Sequence, residues 1–378
     1  MKSALCDKLG IEFPLFAFSH CRDVVAEVTN AGGFGVLGAV GHTPETLEIE
    51  LAWIDEHVNG KPYGVDLLVP NKMDSKETAM SAAEIDACIP PGHRKYIADL
   101  LERNGLDISD LWDHKVGDDF ANNMREAGAQ KILDVAFAHP IKLIVNALGV
   151  PPSSMIERAR ASGALVGALT GAKEHAVKHA EAGVDILVVS GTEAGGHCGE
   201  VSTMVLVPEV LRTMEAYPDI EVLAAGGIAT GRQMAACMAM GASGAWTGSV
   251  WLTTAEAETT PTVKEKMIAA HSRNTVRSRS RTGKPTRQLQ SDWTDAWGSP
   301  KAPDPLPMPL QSILCKPAMA KIDKLAESGH EGAKALATYY VGQAVGLMNT
   351  EQSARSVVYE FMQDFADAVE RLSGTLSE

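Results

Sequence analysis

Short, almost wholly apolar runs recur along this chain, separated by longer stretches in which apolar residues return every three or four positions. The short runs fall at 13–18, 35–38, 63–68, 141–145, 165–168, 186–189, 222–225 and 244–247. A run that is apolar at nearly every position fits a strand buried on both faces, as in a parallel sheet, and the one-faced stretches between such runs fit crossover helices. This alternation predicts an α/β fold. Eight strands predict a closed (β/α)8 TIM barrel. A doubly wound sheet is the alternative, because periodicity counts strands without saying whether the first pairs with the last.

Two intervals depart from the rhythm. Residues 71–139, between the third and fourth strands, are too long for one crossover and carry charged residues at helical spacing, which predicts a helical insertion over the mouth. After the eighth strand, 256–345 mixes helical patterns with the Pro-rich stretch SPKAPDPLPMPL and reads as a substrate or lid region. The last part, 346–378, holds an amphipathic helix over about 351–372 that should pack on the barrel. The barrel itself is then 1–70 with 140–255.

With 378 residues, 45% hydrophobic and 22% charged, the chain can bury a full core as one large domain with an insertion. The net charge of -14 argues against a nucleic-acid partner, whose phosphates need a basic face. The 6 cysteines are scattered, with no C-x-x-C pair, so no disulfide framework or zinc knuckle is indicated and a reducing cytoplasm is expected. The start, MKSALCDKLGIEFPLFAF, lacks the long apolar region of a signal peptide, and no run has the length of a membrane span.

The chemistry concentrates between 183 and 252. The sixth and seventh apolar runs each lead into a Gly pair, and Gly226-Gly227 precedes a helix expected at 230–240. Glycines there let several backbone N–H groups at a helix N-terminus approach an anion without a side chain in the way. Gly248 with Ser249 supplies the opposite wall. Two such cups match the phosphate site of (β/α)8 barrels after strands seven and eight, although Ala-Gly-Gly also suits a plain strand-to-helix turn. His197 follows Gly195-Gly196 at the same end of the barrel, where an imidazole can take or give a proton near neutral pH.

Other patterns carry less. Gly33, Gly35 and Gly38 satisfy G-x-G-x-x-G, but they follow a helical stretch and enter a strand, the reverse of a dinucleotide fingerprint. His175 and His179 have metal-ligand spacing without a third ligand, so surface histidines are the better account and no metal is expected. The run 271–287 holds Arg273, Arg277, Arg279, Arg281, Lys284 and Arg287 with no acid; it suits the phosphates of a nucleotide or CoA thioester, or a solvated loop.

The blocks LGIEFP, AGGFGVLGA, KPYGVDLLVP, AGVDILVVSGTEAGGHCG, VLAAGGIATGRQMAACMAMGASGAWTGS, RTGKPTR and YYVGQAVGL resemble the nitronate monooxygenase family, formerly 2-nitropropane dioxygenases. The resemblance spans most of 9–348 and largely omits 71–139. It implies an FMN-dependent barrel flavoprotein, a cytoplasmic oxidoreductase that oxidises alkyl nitronates with dioxygen to a carbonyl compound and nitrite. In relatives it implies reduction of an enone, quinone or enoyl-CoA-type substrate with NAD(P)H. By position, Gly226, Gly227, Gly248 and Ser249 would hold the FMN phosphate, and Gly195 and Gly196 would lie along the ribityl chain. His197 would be the catalytic histidine, with His20 as a second acid. Phe18, Ser19 and Asp66 would meet the flavin ring, and Gln343 would approach from the lid side. The chain departs from the family in having Ala17-Phe18-Ser19-His20 for Gln-Ala-Pro-Met, Asp66 for Asn, and Trp246-Thr247-Gly248-Ser249 for Gln-Met-Gly-Thr. These leave the phosphate donors intact and bear on substrate. A non-redox, phosphate-binding isomerase or lyase remains the alternative from a different class, and a homodimer is one option for assembly.

Overall fold

The computed structural model describes residues 3–69, 84, 87–113 and 126–375. Strands β1 (Leu15–Ser19), β2 (Phe34–Gly38), β3 (Gly64–Leu67), β4 (Leu143–Asn146), β5 (Leu165–Thr170) and β6 (Ile186–Ser190) pair in parallel, each with the next. After β7 (Gly196–His197), the strands β8 (Glu221–Ala225) and β9 (Gly244–Thr247) complete the circle. Phe16 of β1 stands beside Trp246 of β9, so the first strand pairs with the last and the sheet is a closed barrel rather than a doubly wound one.

Alternation along each strand divides the core in two. Phe16, Phe34, Val36, Leu143, Val145, Ile186, Val188, Leu223 and Trp246 point inward and fill the barrel. The short helix Ala4–Leu9 closes its N-terminal end with Leu5, Cys6 and Leu9. The intervening residues, Val65, Leu67, Leu187 and Val189 among them, face outward and pack under the helices. Gly33, Gly35 and Gly38 do form the turn into and the body of β2, after the helix Arg22–Asn30.

Between β3 and β4 the helices Pro91–Arg103 and Glu126–Ala138 are described; the rest of the expected insertion, at 70–83, 85–86 and 114–125, lies outside the described residues. The helix Ala354–Thr375 packs on the barrel helices Gly231–Ala239 and Arg22–Asn30, burying Val358, Phe361 and Phe365. Among the described residues no helix is long and apolar enough to cross a membrane.

Two expectations are corrected. The cationic run after residue 271 is not a plain solvated loop, because much of it folds as the antiparallel strands β10 (Thr275–Ser278) and β11 (Thr286–Leu289). Four of its guanidiniums are engaged by the protein: Arg287 is buried and donates to the Thr192 carbonyl at 2.9 Å, Arg279 to the Gly283 and Pro305 carbonyls, Arg281 to the Thr338 carbonyl, and Arg277 pairs with Glu200. His175 is a surface histidine, but His179 is buried with Nδ1 unpartnered, and burial, then His175, brings its pKa down to about 4.

Candidate functional site

The seventh barrel strand, β8, ends at Ala225 and turns through Gly226 and Gly227, with φ of 93° and 74°. Two successive left-handed residues are inexpensive only for glycine. A Cβ on Gly226 would also lie 3.1 Å from the Gly191 carbonyl oxygen, and one on Gly227 3.0 Å from the Glu193 Cβ. The turn is held from behind. Thr203 Oγ1 lies 3.1 Å from the Ala225 carbonyl and 2.9 Å from that of Gly226. Gln233 donates to the Gly227 carbonyl at 2.7 Å and accepts from the N–H groups of Ala229 and Thr230. Thr230 and Gln233 form the capping box of the helix Gly231–Ala239. Among the described residues the N–H groups of Gly226 and Gly227 have no protein acceptor, and neither have those of Gly248 and Ser249 after β9. Free donors at the start of a helix suit an anion.

Phe18, Ser19 and His20 follow at the end of β1. The Phe18 ring stacks on Trp246, 6.0 Å between centroids, above the inward Phe16. Ser19 Oγ accepts from the Cys21 N–H and so serves the start of the helix Arg22–Asn30. His20 Nδ1 lies 2.6 Å from the Gly38 carbonyl; a carbonyl only accepts, so Nδ1 carries the proton and Nε2 is free. Asp66, on β3, is 1% exposed, its Oδ1 has no partner among the described residues, and burial pushes its carboxyl well above the ordinary carboxylate range.

His197 is held differently. β7 pairs with β11, placing Gly196 beside Arg287 and His197 beside Thr286. His197 Nε2 lies 3.0 Å from Thr282 Oγ1, whose own hydroxyl lies 3.2 Å from the Lys284 carbonyl. If Thr282 gives its hydroxyl proton to that carbonyl, Nε2–H is the donor to Thr282 and Nδ1 the acceptor. The ring is exposed on one side, yet the surrounding protein, and after it the Lys284 ammonium, holds its pKa below the ordinary 6.5.

Contacts join most of the expected residues into one rim. A Cβ on Gly248 would meet Phe18 at 3.9 Å, Ser249 Oγ accepts from the Gly342 N–H at 2.8 Å, and the Gln343 N–H donates to the Glu193 carbonyl at 2.9 Å. Gly195 approaches Val341 and Gly342, while Glu193 and Ala194 flank the Gly226-Gly227 turn. The Gln343 side chain is half-buried with no protein partner among the described residues. His20 and His197 are not brought together: one turns onto Gly38, the other onto Thr282. Cys21, Asp23 and Glu258 cluster nearby, but the Cys21 thiol donates to the Glu256 carbonyl and burial raises its pKa, which makes it a poor metal ligand.

Four residues went unforeseen: Glu193, Thr203, Thr282 and Arg287 as props of the loops. Glu193 Oε2 accepts from the Thr203 N–H at 2.9 Å, a pairing ten residues apart that no motif announces. Gln233 was within reach, since Thr230 and Gln233 have capping-box spacing.

Comparison with known proteins gives a consistent picture. The family model for nitronate monooxygenase matches residues 98–364. A Mycobacterium tuberculosis protein named for monooxygenase activity, with no substrate stated, is 54% identical over 378 residues, 99% of each chain. A Staphylococcus saprophyticus protein named as a nitronate monooxygenase is 27% identical over 301 residues, covering 75% of this chain and 78% of its own. Among solved structures, nitroalkane oxidase from Streptomyces ansochromogenes aligns with a TM-score of 0.78 at 25% identity over 98% of this chain and 100% of its own. FabK from Thermotoga maritima shares the fold at a TM-score of 0.69 and 23% identity, over 99% of each chain.

Proposed function

The chain belongs to the nitronate monooxygenase family and is an oxidoreductase, and from that premise we propose that it binds FMN and oxidises alkyl nitronates with dioxygen to a carbonyl compound and nitrite. The observation that carries this reading is the rim itself: two glycine cups with unused N–H groups, an unpartnered buried carboxyl and a restrained imidazole around one barrel mouth. These residues fit FMN. Gly226, Gly227, Gly248 and Ser249 would hold its phosphate, Gly195 and Gly196 would lie along the ribityl chain, and Phe18, Ser19, Asp66 and Gln343 would meet the ring. Bound there, FMN supplies two-electron redox chemistry, which no side chain of the mouth can.

The protein's own part is proton handling and orientation. A neutral His197 can accept at Nδ1 a proton from the carbon beside a nitro group, converting nitroalkane to nitronate. Thr282 fixes the ring's direction, and the Lys284 ammonium favours an anionic substrate beside it. His20, with Nε2 free, is a second proton acceptor on the opposite side of the mouth.

An anaerobic absorbance spectrum tests this. Flavin bands in the purified protein, bleached by an alkyl nitronate and restored by air with release of nitrite, are expected. Bleaching by NADH or NADPH but not by nitronate makes the protein a reductase of an enone, quinone or enoyl-CoA-type substrate. A colourless protein that takes up no FMN returns the reading to an isomerase or lyase that holds a substrate phosphate in the same cups.

A further inference from the structure

We propose that Asp66 is a neutral carboxylic acid whose O–H donates a hydrogen bond to a carbonyl oxygen of the bound flavin ring, an inference that rests on the FMN reading above.

The argument starts from alternation on β3. Val65 and Leu67 belong to the outer core, so Asp66 between them faces the barrel interior. Its partners in register are Gly38 on β2 and Val145 on β4, both close to the C-terminal ends of their strands, which sets Asp66 in the layer just under the mouth. The residues around it offer nothing for a carboxylate. Gly38 has no side chain, and the His20 ring lying over it has already given its Nδ1 proton to the Gly38 carbonyl. Val145 is apolar, and the next residue, Asn146, turns its amide outward to exchange hydrogen bonds with Val69. Among the described residues no cation lies close enough to act on Asp66, and burial disfavours its charged form.

A buried ion without counter-charge or donor is among the costliest arrangements in a protein, and the group takes up a proton instead. The neutral acid then has one O–H, and among the described residues no protein acceptor takes it. A buried donor without an acceptor is itself unfavourable. The isoalloxazine ring ends in carbonyl oxygens, and these gain electron density when the ring is reduced. A donor that meets one of them holds the reduced form more tightly than the oxidised form. An uncharged acid does this without bringing a negative charge against a ring about to become more negative, as an ionised aspartate would.

The test uses FMN-loaded protein at neutral pH. Infrared difference spectra between loaded and FMN-free protein are expected to show a protonated-carboxyl C=O band that shifts on FMN binding and is missing in Asp66→Asn. The flavin midpoint potential is expected to stay near wild type in Asp66→Asn, whose amide still donates, and to fall in Asp66→Leu, with FMN bound about tenfold more weakly. Absence of the band from loaded wild-type protein overturns the proposal. So does a potential that rises in Asp66→Asn, the signature of a removed negative charge. A protein that takes up no FMN overturns the flavin reading as well, and absorbance identifies that case before any variant is made.

Discussion

At the scale of single residues, the pH dependence follows from His197. The His197 pKa is lowered from 6.5, so its neutral form persists to more acidic pH than that of a free histidine. If the neutral ring is the base toward a nitroalkane, kcat/KM stays flat through neutrality and falls only as pH drops through that lowered value. His197→Ala should remove the acidic limb and cost about 10²- to 10⁴-fold in kcat/KM. Thr282→Val should cost less and move the limb, since Nε2–H loses its acceptor while the ring remains. A limb unchanged in both variants would refute the assignment. His197 was legible because it follows a Gly pair beyond an apolar run. Thr282 was not, because it meets His197 across 85 residues of sequence and a lone threonine in a basic stretch carries no signal. Asp66 left a trace, an acid inside an otherwise apolar strand, but its lack of any partner is a property of packing.

Among the elements, the eight barrel strands were readable because burial on both faces makes nearly every position apolar. The small sheet of β7, β11 and β10 was not, because its strands carry Thr, Arg, Ser and Gln, and β7 is two residues long. Alternation cannot be seen over two residues, and polar strands outside the main core give no contrast with a loop. The helix Gly231–Ala239 shows how tightly elements constrain one another. A Cβ on Gly231, its first residue, would lie 1.9 Å from the Phe361 carbonyl oxygen and 2.5 Å from the Phe365 nitrogen of the helix Ala354–Thr375. Both obstacles are backbone, so neither can rotate away. Gly231→Ala is therefore expected to cost about 2 kcal/mol or more and to push the two helices apart. Denaturant melts would read this as a lower midpoint at unchanged slope, and an unchanged midpoint would mean that the helices separate without penalty.

Over the whole molecule, the count of eight strands pointed to the closed barrel that is found, while the pairing of β9 with β1 itself depends on the accumulated twist and tilt of eight strands and on no single residue. Closure unites loops from distant parts of the chain into one rim, and the sheet that carries His197 extends this to the region beyond the barrel. That has a consequence in time. As the chain leaves the ribosome, the last barrel strand is complete at Thr247, whereas β11, Val341 and Gln343, which brace the loop after β6, are still unmade. The barrel strands are then complete with that loop unsupported, and the mouth gains its bracing only near the end of synthesis. Stalled nascent chains ending shortly after the barrel should resist protease at the strands while being cut around Gly195 and Gly196; protection of that loop at the same length would contradict the order. Errors late in translation would then yield molecules that are folded, soluble to inspection and inert.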